Sequence, residues 1–195
     1  MENEVKEPAP KYQYISPDEY LAMERASELK YEYYNGHVEA MCGASLKHNQ
    51  IAMNLYGNIF NYLKGKKCKI LPNDMRVSSP GKKIYTYPDA TIVCDTPELE
   101  DDAFDTLLNP SVLIEILSPS TRQNDLGYKL SYYQQIPSLK EYIIVDSVRR
   151  AVQIIRSQEN GLWETECISP VLSHIYIRTI DLYISLDDIY YLTGL

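Results

Sequence analysis

The chain has 195 residues, 45% of them hydrophobic, which is enough for a proper core and predicts a single domain over 12–195. Nineteen basic residues stand against 27 acidic ones, a net charge of −8, which argues against a nonspecific nucleic-acid binder driven by overall charge. No apolar run approaches the ~20 residues needed to cross a membrane, and residues 1–11 read as a polar, frayed tail rather than a signal peptide. The expectation is a cytoplasmic protein.

Ser16-Pro17-Asp18-Glu19 carries a capping box with proline at the first helical position and predicts a short helix to about Ser27. Asn35-Gly36 then marks a two-residue hairpin turn that needs positive φ at both positions. That turn sets Glu32 opposite Glu39, where like charges repel. Ser45 can cap a helix from Leu46 to about Lys64, with a buried stripe of His48, Ala52, Leu55, Ile59 and Tyr62. "KGKKCK" (64–69) is a basic knot and a candidate strand-contacting edge; "PELEDDAFD" (97–105) reads as a solvated acidic loop.

"CKILPNDMRVSS" (68–79) predicts a strand interrupted near Pro72, "KIYTYPDATIVC" a second, and "SVLIEILS" a central one, apolar on both faces except at Glu115. Ser120 is placed to cap a helix from about Thr121 to Gln135, with Gln123 reciprocal and Pro137 ending it. Strands follow at 140–146, 151–157 and 162–168, then a final strand and a short helix capped by Ser185. The order implies an α/β fold, a mixed sheet flanked by helices. The four cysteines lack C-x-x-C spacing; Cys94 reads as a small core residue, and the scatter suggests a reducing compartment. Many of the 18 tyrosines are expected to be half-buried, with the hydroxyl reaching water.

Asp89 and Glu115 are the informative pair. Each is a carboxylate beside or within a run that otherwise wants burial, and the two runs are consecutive strands. Converging carboxylates resist joint ionisation unless a cation lies between them. Mg²⁺ suits the role, because it takes oxygen ligands and uses one or two carboxylates while keeping waters for substrate phosphate. The alternative is that each acid is satisfied separately by a nearby Lys, Arg or hydrogen-bond donor.

Pro88-Asp89, then Glu115-Ile116-Leu117 on the next strand, then a helix, resembles the PD-(D/E)XK nuclease superfamily. The stretches "YEYYNGHVEAM", "ASLKHNQIAMNL", "YPDATIV", "LIEILSPSTRQNDLGYKLSYYQQ" and "LKEYIIVD", over roughly 14–160, resemble more narrowly the Uma-two family of restriction endonucleases. The resemblance implies a restriction-endonuclease-like fold with an N-terminal helix and β-hairpin, and Mg²⁺-dependent cleavage of phosphodiesters, with Mn²⁺ as a substitute. It implies nucleic acid, DNA first, as substrate. A single active site cuts one strand, so double-strand cleavage needs a dimer or two events, and the commonness of symmetric dimers makes a homodimer the default assembly. It matches Asp89 and Glu115 to the metal-binding acids, with the Ile116 carbonyl as a further ligand, and Glu32 to an extra acid. The lysine expected two residues after the acid is replaced by Leu117, and Lys129 on the following helix is the candidate substitute. The plainer reading of Lys129 is a surface pair with Asp125. Asp125 is an orienting partner for Lys129, His48 an auxiliary residue, and Tyr133 a packing residue. The rival readings are a non-catalytic nucleic-acid- or protein-binding module on the same scaffold, and a metal phosphohydrolase acting on a small phosphate ester.

Overall fold

A computed structural model describes residues 14–119, 122, 124–169 and 172–195. The cap placed at Ser120, with Thr121 and Gln123, lies outside the described residues. Helix α1 (Pro17–Ala26) begins with the expected capping box: the Ser16 side chain accepts from the Glu19 backbone, and the Glu19 carboxylate accepts from the Ser16 N–H at 2.8 Å. Strands β1 (Tyr31–Tyr34) and β2 (His37–Ala40) form the hairpin, with φ of 46° at Asn35 and 102° at Gly36. A Cβ at Gly36 would stand 2.2 Å from the Tyr14 ring, so glycine is required twice over. Glu32 and Glu39 are paired as expected.

Helix α2 (Leu46–Leu63) buries Ile51, Leu55, Ile59 and Leu63; Ala52 and Tyr62, assigned to its stripe from sequence, are only partly buried. Burying each of the four fully contributes roughly 1.5–3 kcal/mol. The stretch 68–79 gives β3 (Lys69–Pro72) and β4 (Arg76–Ser78), and 83–94 gives β5 (Ile84–Thr86) and β6 (Ala90–Val93). Each sequence run is therefore two strands belonging to different sheets, broken at Pro72 and at Pro88, where no N–H is available to continue a ladder. Then come β7 (Thr106–Leu107), β8 (Val112–Leu117), a π-helical turn (Asn124–Lys129) and the short α3 (Leu130–Tyr133). Strands β9 (Glu141–Asp146), β10 (Val152–Ser157), β11 (Trp163–Ile168), β12 (His174–Ile177) and β13 (Leu182–Ser185) precede α4 (Leu186–Ile189). The single final strand expected from sequence is a two-stranded hairpin, turned through Asp181 at φ 55°.

Among the described residues the larger sheet runs β11-β10-β9-β8-β6-β3, and a second runs β2-β1-β5-β4-β7. Strands β8 and β9 are parallel and central, buried along their whole length. Alternate residues of β8 serve two cores. Val112, Ile114 and Ile116 meet the buried stripe of α2, while Leu113 and Leu117 join Tyr133, Tyr142 and Ile144 on the other face. Glu115 falls on this second face.

Tyr31, Tyr56, Tyr62, Tyr132 and Tyr176 are half-buried as expected, while Tyr20, Tyr33, Tyr85, Tyr133 and Tyr142 are fully buried, and Tyr20, Tyr85, Tyr133 and Tyr142 each place the hydroxyl on a protein acceptor. Two other sequence expectations are corrected. The acidic loop is not simply solvated: Asp101 and Asp105 grip Arg25, and Glu100 takes Tyr85 and Lys82. Cys68 and Cys94 form a disulfide, not independent thiols. The register that pairs Lys69 with Val93 sets the next two residues opposite each other, a proximity that sequence spacing does not reveal. Reductant, or Cys68→Ser, should lower unfolding stability by about 3 kcal/mol for a loop of this length, read by denaturant titration.

Arg76 is wholly buried at the junction of α1 and the second sheet. It bonds Glu24, the Tyr87 hydroxyl at 3.1 Å and Thr106 at 2.9 Å, with Asp105 at 2.8 Å. Arg76→Ala leaves Glu24 buried and uncompensated and should cost about 3–5 kcal/mol. The double variant Arg76→Met with Glu24→Gln should recover much of that loss in the same unfolding titration.

Candidate active site

The chain leaves the second sheet at Thr86, passes Tyr87-Pro88-Asp89, and enters the larger sheet at Ala90. This break positions Asp89. Tyr87 is pinned at both ends: its hydroxyl lies between Glu24 and Arg76, and its N–H donates to Glu32 Oε1 at 3.0 Å. Extending the β6–β8 register (Ala90 with Ile114) by one step sets Asp89 opposite Glu115. The Ile116 N–H donates to Asp89 Oδ2 at 2.7 Å, and His48 Nε2 lies 3.2 Å from the same oxygen. The Tyr56 hydroxyl of α2 donates to the Asp89 carbonyl.

Glu115 is 4% exposed and receives hydrogen bonds from Lys129 Nζ and the Tyr133 hydroxyl, both 3.1 Å from Oε1. Burial pushes its carboxyl well above the usual range; Lys129 pulls it back, while Asp125, Asp89 and Glu32 push it further up. Lys129 stands at the end of the π-helical turn, 5% exposed. Its Nζ lies 3.1 Å from Glu115, 3.1 Å from Glu32 and 3.2 Å from Asp125. Burial alone would lower its pKa, yet the ring of acids, Glu115 first, carries it well above the ordinary value. The Asp125–Lys129 pair is therefore real but buried, not the surface pair of the plainer reading.

Glu32, on the hairpin, also accepts from the Tyr34 hydroxyl at 2.6 Å. Its cross-strand neighbour Glu39 stays exposed and accepts from Asn124, which relieves the like-charge pairing. For His48, burial works against protonation, but the hydrogen bond and charge of Asp89 and the Ile116 carbonyl outweigh it and raise the imidazole pKa. Its Nδ1 is buried and makes no hydrogen bond among the described residues.

Sequence reasoning passed over the part that four residues play here. Tyr133, assigned to packing, touches Glu115 and Thr86; its spacing four residues beyond Lys129 was the available signal. Tyr34 follows Glu32 by two, so it shares a strand face. Arg76 and Glu24 brace Tyr87 from a distance that no local pattern encodes.

Three carboxylates thus surround one ammonium, with Asp89 beside Glu115 as a fourth acid, an excess that favours a further cation. Among the described residues the hydrogen bonds to Asp89 end on Oδ2 and those to Glu115 on Oε1, so Oδ1 and Oε2 accept none. This donor set is all oxygen and suits Mg²⁺. No group of three or more His, Cys, Asp or Glu side chains among the described residues is arranged to hold an ion by itself. Backbone oxygen, water and substrate phosphate would have to complete the shell, as Mg²⁺ sites commonly require.

Residues 17–175 match the model of the Uma2 family, described as "Putative restriction endonuclease". The chain belongs to the Uma2 family. Two uncharacterized proteins of Synechocystis sp. are similar to this Uma2 chain, one 32% identical over 80% of the chain and 81% of its own length, the other 31% over 76% and 84%. The crystal structure of "a putative nuclease belonging to DUF820" from Anabaena variabilis is similar in fold, with a TM-score of 0.74 at 20% identity, over 90% of this chain and 97% of that one. The Uma2 chain accordingly has the restriction-endonuclease-like fold expected from its sequence. No helix among its described residues is long and apolar enough to cross a membrane.

Proposed function

We propose that this chain is a divalent-metal-dependent endonuclease that hydrolyses phosphodiester bonds in nucleic acid, DNA first. The observation that carries this reading is the convergence of Glu115, Glu32 and Asp125 on Lys129, with Asp89 beside Glu115 and, among the described residues, one oxygen of Asp89 and one of Glu115 accepting no hydrogen bond. Asp89, Glu115 and the Ile116 carbonyl would hold the ion. Bound there, Mg²⁺ or Mn²⁺ supplies Lewis acidity toward a phosphate and lowers the pKa of a water. Lys129 offsets negative charge that develops on the phosphate as water attacks in line. Glu115 and Glu32 keep that ammonium charged, and Asp125 helps fix its place. Tyr133 and the Ile116 N–H orient Glu115 and Asp89. His48 shares a hydrogen bond with the Asp89 carboxylate and steadies it from α2. One such site cuts one strand, so double-strand cleavage takes two copies, and a symmetric homodimer is the default arrangement.

The test is nicking of supercoiled plasmid, and cleavage of an RNA of similar length, with Mg²⁺ or Mn²⁺ and with chelator. Cleavage that chelator stops supports the proposal. A folded protein that cuts neither substrate with either ion overturns it in favour of a binding module, the reading that the net charge of −8 and the leucine at 117 support.

A further inference from the structure

An acidic site in an acidic chain needs a local cationic hold on a polyanionic substrate. We propose that Arg122 and Arg149, splayed from the buried carboxylate of Asp146, clamp a backbone phosphate that flanks the one being cut. This rests on the nuclease reading for its substrate, but on separate residues.

Asp146 ends β9, and the parallel register sets it beside Leu117. Glu115 lies two residues before Leu117 on the same sheet face, so Asp146 is about 7 Å further along and about 4.8 Å across. That places it within about one or two nucleotides of the acids. Asp146 is 4% exposed and fully engaged. Its Oδ1 accepts from the Val148 and Arg149 N–H groups at 2.9 and 3.3 Å, which fixes the turn after β9. Its Oδ2 accepts from Arg122 Nη2 at 2.5 Å and Arg149 Nε at 3.1 Å. A guanidinium has five N–H donors in a rigid fork, and Asp146 takes one from each arginine. The two side chains remain 40% and 71% exposed. Two cations on one carboxylate leave a net positive charge at the rim of the acid cluster, with planar donors matched to phosphate oxygens.

The basic run at 64–69 is less suited to this task. Lys64 caps the far end of α2, sixteen residues from His48, which is about 24 Å along the helix axis. Lys64 and Lys66 lie over the rings of Phe60 and Tyr62.

The experiment is fluorescence anisotropy with labelled duplex and single-stranded DNA oligonucleotides and an RNA of the same sequence, with Ca²⁺ replacing Mg²⁺, over a salt series. Arg149→Ala and Arg122→Ala should each weaken binding about 10-fold and lower the slope of log affinity against log salt by about 1. Arg149→Lys should keep the slope and lose part of the affinity, because it keeps the charge but not the fork. Lys66→Ala should bind as the wild type does. Matched melting curves check folding. Arg149→Ala alone decides the matter if Arg122→Ala is unstable, since Asp146 then keeps Arg122 and both backbone donors. Unchanged affinity and slope in Arg149→Ala overturn the clamp, as does a wild type that binds none of the three probes. A wild type that binds through these arginines in Ca²⁺ but cuts nothing in Mg²⁺ upholds the clamp and overturns the nuclease reading.

Discussion

Asp89→Asn and Glu115→Gln should each abolish metal-dependent cleavage while leaving the fold intact. Loss of an outer-shell partner typically costs 10–100-fold, so removing a ligand should cost more than ~10²-fold. The two variants should nonetheless differ in stability. Asp89 ties α2 to β8, through His48 and the Ile116 N–H, so its loss loosens that contact. Glu115 is a buried acid whose carboxyl is held above its usual range chiefly by desolvation. A neutral amide of the same shape removes that cost, and Lys129 still has Glu32 and Asp125. Glu115→Gln should therefore be as stable as the wild type at neutral pH, or more so, while inactive and binding Mg²⁺ weakly by calorimetry. Full activity in either variant would sink the assignment of these two acids.

Lys129→Met should lose activity and stability together. The substitution leaves Glu115, Glu32 and Asp125 buried or nearly so with no ammonium among them, a loss of about 3–5 kcal/mol. The pH dependence has a definite sign. The folded-state pKa of Lys129 is raised, so its contribution is fully present below the unfolded value of about 10.4 and fades only as pH rises through the folded value. On the acid side the gap between variant and wild type should narrow, because Glu115, with its raised pKa, takes up a proton first and sheds the uncompensated charge. Urea titrations at pH 5, 7 and 9 read this directly. Equal stability at all three would mean that Lys129 is a bystander.

Much of this was legible in the sequence because it is local. The capping box, the Asn35-Gly36 turn and the burial of both faces of β8 follow from residue chemistry over a few positions, and the structure has each. The candidate acids stood out because a carboxylate in an apolar strand is costly, and Asp89 and Glu115 do lie side by side. The awkward Glu32–Glu39 pairing was also a signal: one acid turns inward to Lys129 and the other outward to Asn124. What stayed hidden depends on tertiary register. Nothing near Cys68 announces Cys94, and nothing near Arg76 announces Glu24 and Tyr87. The division of 68–79 and 83–94 between two sheets was also missed, since a proline break reads alike whether a strand resumes in its own sheet or joins another.

The crowding at Lys129 has a kinetic corollary. An ammonium owns three protons, and three carboxylate oxygens already lie within 3.2 Å of it. On the nuclease reading an arriving phosphate oxygen would have to enter that ring of acids, and whichever carboxylate gives way would set the threshold for engagement. Glu115 is the natural one to yield, because a divalent ion competing for that carboxylate would release the lysine at the moment its charge is wanted.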